Sequence, residues 1–154
     1  AVRLHRPPAG SLKRRREVME LIYVDIVGPL PVGHLGASRF RYMLTWMDAT
    51  SHFLGAIPLP YATAEAVVNA LERNVIDIFG RVKEVAADNG SQFRSSTFST
   101  WCASHNIRRW HIPVLAPWRN ALLERQHKSL KASIKVLIDS VEHRWPAYVS
   151  KAVS

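Results

Sequence analysis

Three carboxylates stand out by their settings. Asp25 interrupts an apolar run, LIYVDIVG (21–28), flanked by Val24 and Ile26. An isolated charge in such a place is costly unless it is paired or bound to a metal. Asp88 stands where a short apolar run, VKEVAA (82–87), gives way to the turn residues Asn89-Gly90. Open sheets present ligands at the carboxyl ends of their strands, so this position suits a site. Glu124 lies near the start of a helical pattern in a segment otherwise rich in Lys and Arg. Each has an ordinary structural explanation alone: a hydrogen-bonded strand Asp, an Asp-Asn-Gly turn, a Glu favouring a helix start. Together they can form an all-oxygen donor set of the kind hard divalent cations take. Three carboxylates at one point would repel one another without such a cation.

The elements that must position them can be read from the pattern. Strands are predicted at 21–28, 40–48, 52–59, 82–87 and 107–112, the second and third forming an antiparallel hairpin. Residues 62–80 have helical spacing, with Thr63 as N-cap and Gly80 as stop. Further helices are predicted at 95–105, capped by Ser95 or Ser96, at 121–138, and at 143–153, the last broken near Pro146. A meander followed by crossover units implies an α/β architecture: a five-stranded mixed sheet with helices on both faces. Trp46, Trp101, Trp110 and Cys102 read as core residues, and Trp118 as a buried aromatic. Asp48, a further strand-end carboxylate, is assigned to its turn.

The spacing of the three carboxylates carries more than their types. There are 62 residues between Asp25 and Asp88, and 35 between Asp88 and Glu124. With VDIVGPLP (24–31), FRYMLTWMDATSHF (40–53), ADNGSQF (87–93) and PWRNALLERQHKSLK (117–131), the chain resembles the D,D-35-E integrase catalytic core of retroviruses and long-terminal-repeat retrotransposons, gypsy-like elements above all. The resemblance runs from about residue 20 to the end. It implies an RNase H-like fold and a polynucleotidyl transferase with two Mg²⁺ ions, for which Mn²⁺ can substitute. Asp25 would bridge both ions, Asp88 would ligate one and Glu124 the other. The implied reactions are 3′-end processing of element DNA and strand transfer into target DNA. A homodimer or larger assembly is implied too, with the nucleus and a virus-like particle as its places in the cell.

Basic residues follow the same logic. Glu124, Lys128 and Lys131 stand at i, i+4 and i+7, so at about 100° per residue both lysines fall within roughly 40° of the Glu direction. In the family, lysines so placed contact the element's DNA end. Gln92, Asn120, Arg125 and His127 are further candidate DNA contacts, with Asn120 positioning the loop before the helix. One departure is visible: family members usually carry Asn-Gly where this chain has Asn120-Ala121. Ala resists conformations that Gly allows, so the loop would be stiffer or the helix would start earlier.

Composition agrees with a polyanionic partner. The 154 residues carry a formal net charge of +9. Residues 1–16 hold +6, 17–104 hold −3 and 105–154 hold +6, an acidic middle between basic flanks. Such an excess fits nucleic acid better than a small-molecule substrate. One cysteine excludes an internal disulfide and a Cys-based zinc site within the chain, and is compatible with an intracellular setting. No apolar run approaches the roughly 18 residues of a membrane span. The expected organisation is a basic linker or arm at 1–19 and a catalytic core at 20–154, an excised piece truncated at both ends that opens at Ala1. A non-catalytic, domesticated or decayed derivative serving as a DNA-binding or interaction module is the alternative. An RNase H-like nuclease for RNA–DNA hybrids fits fold and metals, but not ADNGSQF or the 35-residue interval.

Overall fold

The central strand, β1 (Leu21–Val27), is apolar almost throughout because both its faces are covered. In the computed structural model, which describes residues 16–112 and 117–152, it pairs antiparallel with β4 (Tyr42–Asp48) and parallel with β6 (Glu84–Ala87). β5 (Leu54–Leu59) continues the meander beyond β4, and β7 (Arg108–His111) lies parallel to β6. The sheet order is β5-β4-β1-β6-β7, the five-stranded mixed sheet expected from sequence. β2 (Gly33–Leu35) and β3 (Ser38–Phe40) form a separate two-stranded ribbon. Their three-residue lengths amid Gly and Pro gave no strand pattern to read.

Side chains alternate between the two faces. Ile22, Val24, Leu44, Trp46, Ile57 and Leu59 point to one face and join Val67, Leu71, Val75, Phe98 and Trp101 in the largest core cluster. Helix α1 (Ala64–Leu71), a π-helical turn (Glu72–Ile76) and α2 (Asp77–Phe79) supply part of this layer, with α3 (Ser91–Arg94) and α4 (Ser96–Ser104) beside them. Thr63 caps α1, its hydroxyl accepting from the Ala66 N–H at 3.2 Å, and Gly80 ends α2 at φ +62°. The expected single helix over 62–80 is thus divided by a π turn. Ser95 caps α4, as its sequence suggested. On the opposite face, Met43 packs with Ile134 and Ile138 of α5 (Pro117–Val141) and with Trp145 and Val149 of α6 (Trp145–Ala152).

Two boundaries differ from expectation for physical reasons. α5 begins at Pro117, not Ala121, which places Asn120-Ala121 inside the helix; proline suits the first helical position because its missing N–H has no partner there anyway. The last helical segment breaks ahead of Pro146 rather than at it. A 3-10 turn (Glu142–Arg144) gives way to α6 at Trp145, and Pro146 sits harmlessly in the first turn. Trp145, fully buried, escaped notice in the sequence, whereas Trp46, Trp101 and Cys102 are buried as expected and Trp110 is half-buried. Trp118 lies outside the side chains described. Met19 is buried in the main core and Arg16 bonds to Glu84, so the end of the basic N-terminal segment is fastened to the sheet.

Candidate active site

The sheet register brings the first two carboxylates together. Tyr23 of β1 lies beside Ala86 of β6 in parallel register. Asp25 is two residues beyond Tyr23, and Asp88 two beyond Ala86. Since side chains alternate with a period of two, both belong to the same face at the carboxyl ends of neighbouring parallel strands. Asp25 is half-buried, and its backbone carbonyl accepts from the Thr45 hydroxyl across the β1–β4 pair at 3.3 Å. Asp88 is exposed. Its Oδ1 accepts from the Gly90 N–H at 2.8 Å, and its carbonyl accepts from Arg109 Nη2 at 3.3 Å.

The turn after Asp88 is tightly built. A Cβ on Gly90 would lie 2.9 Å from Asp88 Oδ1 and 3.1 Å from Gln92 Oε1, so any larger residue there would push the carboxylate aside. Gln92 is half-buried and donates its amide to the Ala62 carbonyl at 2.9 Å, tying the turn to the segment before α1. Phe93, one residue on, is buried edge-to-face against Phe98 at 5.3 Å. The carboxylate thus stands on an anchored turn, although it is itself open to solvent.

Glu124, Arg125, Lys128 and Lys131 are all exposed on α5. Glu124 is the eighth residue of that helix, further in than the sequence suggested. The side chains of Asn120 and His127 lie outside those described, but Asn120 belongs to the helix and not to a preceding loop. Among the described residues, no group of three or more His, Cys, Asp and Glu converges closely enough to hold an ion. The strand register therefore places Asp25 and Asp88 on one face, and Glu124 is contributed by α5. The donors are carboxylate oxygens, which suit Mg²⁺ or Mn²⁺ and not a soft metal.

Asp48 has a different role. It is fully buried, and accepts from the Met19 N–H at 2.9 Å, the Ser51 N–H at 2.9 Å, the Ser51 hydroxyl at 2.6 Å and the Thr50 N–H at 3.4 Å. Burial pushes its pKa up, but the bonds from Ser51, Met19 and Thr50 prevail and hold it below the usual carboxylate value. It lies on the face opposite Asp25, since Ile22 is its cross-strand partner. The turn assignment made from sequence is confirmed. Glu84 is a second structural carboxylate: Arg16 Nε donates to it at 2.6 Å and Trp110 Nε1 at 2.8 Å, and the Arg16 bond above all lowers its pKa.

These features define an α/β protein whose mixed sheet is that of the RNase H-like fold, with paired acids at strand ends. The chain belongs to the integrase core domain family, whose model matches residues 15–117, a span that includes Asp25 and Asp88. It is 26% identical over 132 residues to the retrovirus-related Pol polyprotein from transposon TNT 1-94 of Nicotiana tabacum, covering 83% of this chain and 10% of that protein. It is 23% identical over 145 residues to the Pro-Pol polyprotein of simian foamy virus type 3, covering 94% and 12%. The chain thus spans about a tenth of the length of these relatives. Among solved structures, the HTLV-2 integrase catalytic core domain in complex with magnesium (trimeric form) superposes with a TM-score of 0.62 at 19% identity, covering 88% of this chain and 82% of that one. The dimeric form gives the same score.

Proposed function

We propose that this chain is the catalytic core of an integrase from a retrotransposon or retrovirus-like element, acting on the ends of element DNA and joining them to target DNA. One observation carries the reading: Asp25 and Asp88 share a face at the carboxyl ends of adjacent parallel strands, in a chain of the integrase core family. Two reactions are expected at one site. Water first cleaves a phosphodiester and leaves a 3′-hydroxyl; that hydroxyl then attacks a target phosphodiester, displacing its 3′-oxygen as the new bond forms. Only the nucleophile changes, so one set of acids can serve both.

Asp25, Asp88 and Glu124 are the residues proposed to hold Mg²⁺, or Mn²⁺ in its place, as a pair of ions. Bound there, the ions would lower the pKa of the attacking hydroxyl and offset charge on the phosphate and leaving oxygen. The protein's own contribution is placement. Asp25 is fixed by a strand paired on both sides, and Asp88 by its bond to the Gly90 N–H. Lys128 and Lys131, exposed on the helix that carries Glu124, are proposed to hold phosphates of the element's end, with Arg125, His127, Asn120 and Gln92 as secondary contacts. Magnesium in the HTLV-2 neighbour and its dimeric and trimeric forms support the cofactor and a self-associating core. Among the described residues no helix is long and apolar enough to cross a membrane; the nucleus and a virus-like particle are the proposed places of action.

A non-catalytic DNA-binding or interaction module is the second reading, favoured by α5 starting at Pro117, which puts Asn120-Ala121 inside a helix, and by the lack, among the described residues, of a three-acid group able to hold an ion. The deciding experiment supplies Mg²⁺ or Mn²⁺ and a branched strand-transfer intermediate, and follows its reversal to separate duplexes. Product from the intact chain, lost in Asp25→Asn, Asp88→Asn and Glu124→Gln, is the expected result. No product from the intact chain, or equal product from Asp88→Asn, removes the catalytic reading. Salt-sensitive DNA binding should survive Glu124→Gln and weaken in Lys128→Ala.

A further inference from the structure

The segment joining β1 to β4 is built more firmly than a simple connection requires. Residues 28–42 include His34, Arg39 and Arg41 and no acidic residue. Within the ribbon, His34 stands opposite Arg39 in antiparallel register. Trp145 Nε1 donates to the Pro31 carbonyl at 2.9 Å, and Gly33 lies so close to the indole that a Cβ would come within 2.4 Å of it. The His34 ring meets His143 edge-on at 6.1 Å, beside Arg144 in the 3-10 turn. The ribbon is therefore ordered before any partner arrives, which removes part of the entropic cost of binding.

Its location is informative. Val27 pairs with Met43, so the end of β1 lies beside the start of β4, and the ribbon projects from the end of the sheet where Asp25 and Asp88 are presented. Arg39, Arg41 and Arg144 are exposed, and among the described residues none of them is held in an ion pair. Nearby charges on α5 and the 3-10 turn are Lys135, Asp139 and Glu142, all exposed. Lys135 and Asp139 cancel in charge, so Glu142 alone stands against Arg39, Arg41 and Arg144, and a net charge of +2 remains there. A guanidinium presents a planar fork of donors that matches phosphate.

We propose that the β2–β3 ribbon and the adjoining 3-10 turn form a duplex-DNA contact surface, with Arg39, Arg41 and Arg144 engaging backbone phosphates beside the carboxylate site. The choice of DNA as the polyanion rests on the integrase reading. The test compares the intact chain with Arg39→Ala/Arg144→Ala by fluorescence anisotropy on a labelled duplex between 50 and 200 mM salt, after circular dichroism shows both folded. Loss of two phosphate contacts should flatten the plot of log K against log salt by about 1.8, so the intact chain should lose about 12-fold more affinity over that range than the variant. An unchanged slope and affinity in the variant, or no duplex binding by the intact chain, overturns the proposal. So does tighter binding of labelled poly-glutamate with the same arginine dependence, which would identify an acidic protein surface as the partner. The two readings separate in the reversal assay on the same preparations. Product with an unchanged slope removes the ribbon alone, whereas arginine-dependent binding without product removes the catalytic reading and leaves the ribbon in place.

Discussion

Removing the Asp48 carboxylate tests whether the domain depends for its stability on an acid outside the proposed site. In Asp48→Ala the buried Met19 N–H loses its partner, at a cost of about 1–3 kcal/mol. Ser51 and Thr50 lie at the turn and regain water, adding roughly 0.5–1 kcal/mol. The total, about 3 kcal/mol, is a large share of the 5–15 kcal/mol typical of a domain. At roughly 2–4 °C per kcal/mol for this size, the melting temperature should fall by about 6–12 °C. Asp48→Asn should cost less at neutral pH, since one acceptor oxygen is kept but the other becomes a donor facing Ser51. The pH dependence has a definite sign. The native pKa of Asp48 is lowered, so its contribution is complete above the ordinary value near 3.9 and is lost as pH falls through the native one. Urea unfolding at pH 7 and near pH 2 should show a gap between the intact chain and Asp48→Asn that narrows in acid. A gap that is absent at pH 7, or equally wide at both pH values, would refute the assignment. Strand-transfer reversal per folded molecule should survive in Asp48→Asn and vanish in Asp88→Asn.

Three further outcomes are expected. Gly55→Ala would put a Cβ 2.1 Å from Trp46 Cε2, and the overpacking should cost about 1–3 kcal/mol in chemical denaturation. Burial pushes the Cys102 thiol up to about 11, with the Arg109 charge pulling the other way. At pH 8 about one thiol in a thousand is then ionised, so the native chain should react slowly with a disulfide reagent and the urea-unfolded chain at once. In Arg16→Ala, Glu84 loses the bond that most lowers its pKa; stability should drop by about 1 kcal/mol at pH 7, and the difference should narrow as pH falls below the ordinary Glu value and disappear only once pH passes the lowered native one.

Much of the fold was legible because it rests on local pattern. The apolar run at 21–27, the hairpin of β4 and β5, and the caps at Thr63, Gly80 and Ser95 each reflect chemistry contained within a few residues. The β2–β3 ribbon was not legible, because its strands are three residues long and are held by Trp145, more than a hundred positions away. The same limit explains why Trp145 was missed. Nothing near it in sequence marks its place against Gly33 and Pro31.

The candidate site divides along the same line. By itself the sequence determined the residue types, the 62- and 35-residue intervals and the helical spacing of Glu124, Lys128 and Lys131, since these depend on chain order alone. Tertiary structure decided which acids share a face. Strand register put Asp25 beside the end of β6 and turned Asp48 to the other side, where backbone N–H groups and a hydroxyl surround it. It also started α5 at Pro117, which puts Glu124 at the eighth residue of that helix. Register and helix packing are set by contacts between distant segments, and a linear spacing, however specific, does not contain them.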